Sequence, residues 1–267
     1  MSESHAEPCY NGAMRIRVAL QLARETAVPL NHQHFLTAVV YRFLEYSDAD
    51  YARFLHGEGY APQEGDRRRF KLFCFAPLRA RRRRIAGNRL WLGPGEAEWI
   101  VCSPVEAFLT NFATGLLSEG SLRVGTTTLT VSSVETLPAP QLEECTRFKC
   151  LSPIVAAVPG KNSERTWTRY LRPKDPDFSE RVRTNLLGKY SALHGHPPQD
   201  DNFKLEWDNE YLNTHRGTKL VTYKDINIVG AFAPFTLAGS TELMQLAYDA
   251  GLGEKNAGGF GCVEVAK

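Results

Sequence analysis

Hydrophobic and polar positions change period along the chain in an order that can be read as structural elements. Residues 14–22, MRIRVALQL, alternate with Ile16 and Val18 on one face, which predicts a strand. In residues 31–47, NHQHFLTAVVYRFLEYS, the apolar Phe35, Leu36, Val39, Val40, Phe43 and Leu44 recur at three-to-four spacing and predict a helix with one buried stripe. Ser47, with Asp50 three residues on, reads as the N-cap of a short second helix through Tyr51, Phe54 and Leu55 that Gly57 ends. FKLFCFAPL (70–78), NRLWLG (88–93) and EWIVCS (98–103) read as strands, 104–117 as a helix, and LRVGTTTLTVSSVE (122–135) as a strand pair.

Pro138 and Pro140, followed by Glu143 and Glu144, mark a linker. Beyond it LSPIVAAV (151–158) reads as the opening strand, 177–194 as a helix, FKLEW (203–207) and 219–239 as strands, 241–250 as a helix, and GFGCVEV (259–265) as the close. Strand, helix, strands, helix, strand thus appears twice. The repetition predicts an α+β fold of two tandem ferredoxin-like (βαββαβ) domains, each an antiparallel sheet with helices on one face. The expected division is a polar N-terminal extension over 1–13, an N-terminal domain over 14–140 and a C-terminal domain over 145–267, with Met14 a candidate functional start.

A chain of 267 residues can bury such cores without staples. The six cysteines, Cys9, Cys74, Cys102, Cys145, Cys150 and Cys262, form no CxxC pair and have no accompanying His spacing. The sequence therefore supports neither a zinc site nor a redox motif, and they read as reduced thiols of a cytoplasmic protein. No metal and no cofactor is expected. No apolar run approaches the ~18 residues a membrane span needs, and the first residues lack a signal-peptide core.

A net charge of +2 says little, but its distribution says more. Arg67, Arg68, Arg69, Lys71, Arg79, Arg81, Arg82, Arg83 and Arg84 put nine cations in eighteen residues with no acid among them. Such a run is either a solvated edge or a surface that holds a polyanion, RNA or DNA, by counterion release. Residues 251–265, GLGEKNAGGFGCVEV, concentrate glycine between a helical pattern and a closing strand. A dinucleotide fingerprint would follow a strand and open a helix, which this run does not do. What fits is a tight turn, or a loop whose N–H groups and one cation, Lys255, lie along a phosphate backbone.

Three side chains stand out for chemistry. At ~100° per residue, Tyr41 lies about 150° from the centre of the buried helix stripe, and His34, two turns earlier, shares its face. His56 directly precedes Gly57, where its imidazole could act on substrate or cap the last carbonyls. Lys71 alternates with aromatics on a predicted strand, where it either snorkels or addresses a phosphate. These residue types suit attack by a ribose 2′-hydroxyl on the adjacent phosphate. Histidine supplies acid or base near neutral pH, tyrosine a hydrogen bond, and lysine charge for the phosphorane.

Taken together, VPLNHQHFLTAVVYRFL, YARFLHGEGY and KLFCFAPL in the first half, LSPIVAAV in the second and YDAGLGEKNAGGFGCVEV at the end resemble a known family. It is the CRISPR-associated endoribonuclease that cuts repeat RNA into guide units, a member of the RAMP superfamily, and the resemblance runs from Met14 nearly to the end. It implies tandem ferredoxin-like folds and a catalytic set matching Tyr41, His56 and Lys71, with His32 or His34 as secondary candidates. It implies metal-independent cleavage leaving a 2′,3′-cyclic phosphate and a 5′-hydroxyl. It also implies CRISPR repeat RNA held by the glycine-rich loop, through Gly251, Gly253, Lys255, Asn256, Gly258, Gly259 and Gly261, with Arg81, Arg82, Arg83 and Arg84 as further contacts. Other CRISPR effector subunits and a homodimer are the protein partners it leaves open. Two other readings use the same residues. One is a non-catalytic repeat-RNA binder in which Phe73 and Phe75 stack bases; the other is a structural subunit that keeps guide RNA inside an effector complex.

Overall fold

In the computed structural model, which describes residues 14–161 and 166–266, the first half runs β1 (Arg15–Leu22), β2 (Thr26–Pro29), α1 (Gln33–Ser47), α2 (Ala49–Gly57), β3 (Cys74–Phe75), β4 (Arg79–Ala80), β5 (Arg83–Ala86), β6 (Arg89–Leu92), β7 (Gly95–Cys102), α3 (Glu106–Glu119), β8 (Ser121–Val124) and β9 (Thr127–Thr136). The second half continues with β10 (Cys145–Cys150), β11 (Ala157–Lys161), β12 (Thr166–Tyr170), α4 (Phe178–His194), β13 (Phe203–Trp207), α5 (Asn209–Thr214), β14 (Thr218–Tyr223), β15 (Ile226–Ala231), β16 (Phe235–Gly239), α6 (Thr241–Ala250) and β17 (Val263–Val265). The expected extension over 1–13 lies outside the described residues.

The main sheets share one strand order. In the first it is β3-β7-β1-β9-β8, in the second β13-β16-β10-β17. Counting only the core strands of each half, both read second, third, first, fourth, the ferredoxin-like arrangement, and the pairings in both are antiparallel. The α+β expectation holds. The first half adds a small sheet β2-β6-β5, the second the hairpins β11-β12 and β14-β15.

Ile16, Val18, Leu20 and Leu22 of β1 pack with Val39, Val40, Phe43 and Leu44 of α1 and Phe108 and Phe112 of α3. Phe148, Val182, Leu186, Leu237, Leu246 and Ala247 repeat this in the second half. Removing these side chains from water at roughly 25 cal/mol per Å² drives both layers together. Between the halves, the face of the first sheet away from its helices is also covered, so that Arg15 is only 2 % exposed.

Three predicted details change. Asp48, not Ser47, caps α2, accepting from the Tyr51 N–H at 2.9 Å. The strand expected over 70–78 narrows to Cys74–Phe75, because Leu72 takes φ +50, a left-handed turn that breaks the alternation. The second half opens not on LSPIVAAV but on β10, whose burial alternates over CTRFKC. Ile154, Val155 and Ala156 are buried all the same. Ile154 exchanges two 2.8 Å backbone bonds with Ala231 and so leaves the main sheet for the β14-β15 hairpin. An apolar run reports burial, not the ladder it joins.

Candidate functional site

The expected catalytic residues come from three successive elements. Tyr41 stands on α1 outside its buried stripe, His56 in the last turn of α2, and Lys71 on the segment entering β3. Tyr41 and His56 meet edge to face with ring centroids 5.2 Å apart, and Phe73 backs the Tyr41 ring at 6.1 Å. His56 is exposed; Tyr41 is half-buried, and that burial pushes its phenol up to about 12. At neutral pH Tyr41 therefore keeps its proton.

The Lys71 ammonium donates to the His56 carbonyl at 2.7 Å and to the Leu55 carbonyl. It caps α2, so the carbonyls that the His56 imidazole was a candidate to cap already have a partner. Two of its three N–H groups are used there, which leaves one for a ligand. Partial burial lowers its pKa. The fourteen residues between His56 and Lys71 do not pull the pair apart. Tyr60 and Phe70 exchange two 2.8 Å backbone bonds and close the excursion at its base. Gly59, at φ +66, makes the closure possible; a Cβ there would stand 2.7 Å from the Phe70 carbonyl.

The glycine-rich loop faces the same place from the second half. A cleft of about 360 Å³ lies between Arg68–Phe73 on one side and Arg181, Asn185, Lys189 and residues 253–257 on the other. Lys255 and Asn256 line it, but the Asn256 amide is already donating to the Leu252 and Phe260 carbonyls, at 3.1 and 3.0 Å. Gly258 is half-buried beside Tyr223.

Gly251, Gly259 and Gly261 do not line the cleft, and Gly253, which does, is buried as they are. A Cβ at Gly253 would meet the Val155 carbonyl at 2.3 Å, and one at Gly259 the Phe75 ring at 2.5 Å. Their role is close packing of the loop on its own half and on the other one.

The remaining candidates separate. His32 is 2 % exposed, with Nδ1 3.0 Å from the Pro29 carbonyl and Nε2 accepting from the Leu78 N–H at 3.0 Å. Burial pushes its pKa down to about 4, and both ring nitrogens serve the fold, so it is not a secondary catalytic residue. His34 is half-buried against Phe35 and Tyr223, where burial also lowers its pKa. Phe73 and Phe75 are fully buried and cannot stack bases.

The basic run divides. Arg68 pairs with Asp66 at 2.7 Å beside the cleft. Arg84 forms a fork with Glu25, at 3.0 and 2.8 Å, and lies over Trp91. Among the described residues Arg81, Arg82 and Arg83 are exposed and make no ion pair. With Arg17 and Arg79, Arg81 and Arg82 line a second cleft of about 710 Å³, partly neutralised by Glu96 and Glu98.

Several residues escaped sequence reading. The Lys189 ammonium, buried on α4, donates to the Gly251 and Gly253 carbonyls at 2.5 and 3.0 Å and anchors the glycine-rich loop. Thr37 donates to the Ala257 carbonyl at 3.0 Å and accepts from the Tyr223 hydroxyl at 3.1 Å, tying α1 to the loop and the hairpin. Asn185 brings to the cleft wall a buried Oδ1 that has no hydrogen-bond partner among the described residues, an acceptor for an incoming donor. The only sequence signal for Thr37 was its place between His34 and Tyr41, three residues after one and four before the other.

Two family models match the chain: "CRISPR-associated protein Cas6, N-terminal" over residues 27–135 and "CRISPR associated protein Cas6, C-terminal" over 137–265. The CRISPR-associated endoribonuclease Cas6 1 of Methanocaldococcus jannaschii is 31% identical over 251 residues, covering 94% of this chain and 92% of the relative. The CRISPR-associated endoribonuclease Cas6 of Pyrococcus furiosus is 25% identical over 243 residues, covering 91% and 85%. A solved structure described as CRISPR associated protein Cas6 superposes with a TM-score of 0.78 at 30% identity, covering 95% of this chain and 99% of the other. A RAMP protein described as binding different RNA substrates superposes at 0.80 with 21% identity, covering 95% and 100%, and shares the fold.

Proposed function

Because the chain belongs to the Cas6 family of CRISPR-associated endoribonucleases, which process repeat RNA, we propose that it cuts CRISPR repeat RNA by 2′-hydroxyl attack beside Tyr41, His56 and Lys71. The products are a 2′,3′-cyclic phosphate and a 5′-hydroxyl. The observation that carries the reading is the contact of Tyr41 with His56 and of His56 with Lys71, which lines a cleft walled by the glycine-rich loop.

The chemistry follows from the environments. His56, exposed to substrate, either takes the proton from the 2′-hydroxyl or gives one to the departing 5′-oxygen. Tyr41, fixed in its protonated form, donates a hydrogen bond to a phosphate oxygen. Lys71 places positive charge where the phosphorane forms, and by capping α2 also holds the His56 backbone in place. RNA supplies its own nucleophile, so the step does not call for metal-activated water. Arg68, Arg69 and Lys255 would hold phosphates on either side of the cut, while Arg81, Arg82 and Arg83 extend the path. In the same proposal residues 14–140 carry the chemistry and 145–267 carry the loop that closes the cleft.

The test is incubation of the protein with labelled repeat RNA in EDTA, beside the same RNA with a 2′-deoxy substitution at the cut. Cleavage of only the all-ribose strand, with a cyclic phosphate on the upstream product, is expected. Cleavage of the deoxy strand would rule out 2′-hydroxyl attack. Binding of cognate repeats without any cleavage would favour a repeat-RNA-holding protein instead.

A further inference from the structure

Away from the reaction groups, three thiols that are far apart in the sequence come together between the halves. Cys74 on β3, Cys102 at the end of β7 and Cys262 just before β17 are all 0 % exposed. Their sulfurs all lie within 4.8 Å of one another, and Cys102 Sγ is 3.9 Å from Cys262 Sγ. A zinc–thiolate bond of ~2.3 Å puts the sulfurs of a tetrahedral site ~3.8 Å apart. The cluster therefore needs little movement to close on an ion.

Sheet register produces the arrangement. Cys74 stands directly opposite Cys102, and Cys102 directly opposite Arg15, so three neighbouring strands aim these side chains to one face. Arg15 donates to the Val263 and Tyr248 carbonyls at 2.8 and 2.5 Å and lies 3.5 Å over the Tyr248 ring. Its Nε is buried with no hydrogen-bond partner among the described residues. No salt bridge neutralises Arg15 among the described residues, and Asp249, a carboxylate in its field, accepts its side-chain hydrogen bond from the Gln245 amide at 2.8 Å. A buried guanidinium calls for a nearby anion, and three neutral thiols do not supply one. Three thiolates around a dication carry a net charge of −1, opposite in sign to Arg15.

We propose that Cys74, Cys102 and Cys262 bind one Zn²⁺, with Arg15 as the neighbouring counter-charge. Soft thiolates in this number select zinc over hard cations. The ion joins β3, three residues past Lys71, to the end of the glycine-rich loop, and so fixes the two walls of the cleft against each other. The three thiols supply three ligands, and because they are buried the ion enters as the chain folds, with loss of the three thiol protons. It is a structural ion, separate from the cleavage chemistry, and its test does not use cleavage.

The full chain, produced without metal-affinity resin or chelators, is expected to contain one zinc per molecule by atomic emission. Produced in cobalt-supplemented medium, it should show thiolate-to-cobalt charge transfer and the strong visible bands of a tetrahedral site. Chelation after mild unfolding should lower the thermal midpoint by about 5 °C or more relative to refolding with zinc. Cys262→Ala should abolish the cobalt bands and Cys145→Ala, at an exposed thiol, should leave them intact. A folded, fully reduced wild-type chain that carries neither zinc nor cobalt bands overturns the proposal, whether or not Cys262→Ala folds. Bands that persist in a folded Cys262→Ala chain overturn it too.

Discussion

His32 and His56 stand at opposite ends of the α1–α2 segment, one as the N-cap of α1 and the other in the last turn of α2. The buried one has both nitrogens engaged with backbone groups, and its charged form is excluded. The exposed one faces Tyr41 and has its helix end capped by another residue. Lys189 and Lys71 repeat the contrast. Each ammonium donates to two backbone carbonyls, but Lys189 is 2 % exposed, with its pKa pushed down to about 7 by burial, whereas Lys71 is half-exposed at the cleft. The same side chain builds the scaffold when water is excluded and stays available for a substrate when it is not.

The sharpest way to break this comparison is to remove the exposed histidine. His56→Ala should slow single-turnover cleavage by roughly 10²-fold or more, the scale of general acid–base catalysis, with RNA affinity nearly unchanged. Equal losses in binding and cleavage would return His56 to a structural role.

Acid should act on the other histidine. The folded pKa of His32 is about 4 and the ordinary value is 6.5, so between these pH values the unfolded chain binds a proton that the folded chain does not. Its contribution, at most about 3 kcal/mol, is present above pH 6.5 and is lost as pH falls towards 4. Denaturation in urea at stepped pH should show this slope in the wild-type chain and a shallower one in His32→Gln.

Lys189→Met keeps the volume but leaves the Gly251 and Gly253 carbonyls without their donor. A loss of roughly 1–3 kcal/mol in stability is expected, read as a lower denaturation midpoint. Lys71→Met should instead lower cleavage more than stability. If the two variants behave alike, exposure does not divide scaffold from chemistry here.

The smallest effects concern the basic run. Replacing Arg81, Arg82 and Arg83 by alanine should weaken RNA binding and flatten its salt dependence by up to about 0.7 in log–log slope per lost single-strand phosphate contact. Arg84→Ala should change little, since that guanidinium is paired with Glu25. Binding measured by filter retention from low to high salt separates the two.

Much of this was legible along the chain. The α1 stripe, the helices at 177–194 and 241–250 and the doubled element order all follow from periodicity, which is local. Tyr41, His56 and Lys71 could be named because each stands apart from a buried pattern or ends an element. The glycine-rich loop was legible as a place but not as a set of roles. Nothing in GLGEKNAGGFGCVEV says which glycine meets Phe75 and which faces the cleft.

Sequence by itself thus determined the long helices, the doubled element order, where apolar faces lie, and which residue types are available for RNA chemistry, because those depend on neighbours a few positions away. Tertiary structure alone decided that His32 is buried, that Lys71 caps α2, that Lys189 holds the loop, and that Cys74, Cys102 and Cys262 share a point between the halves. Each of those depends on partners tens to hundreds of residues distant. Burial and hydrogen-bond supply at such contacts exist only once the two sheets have packed.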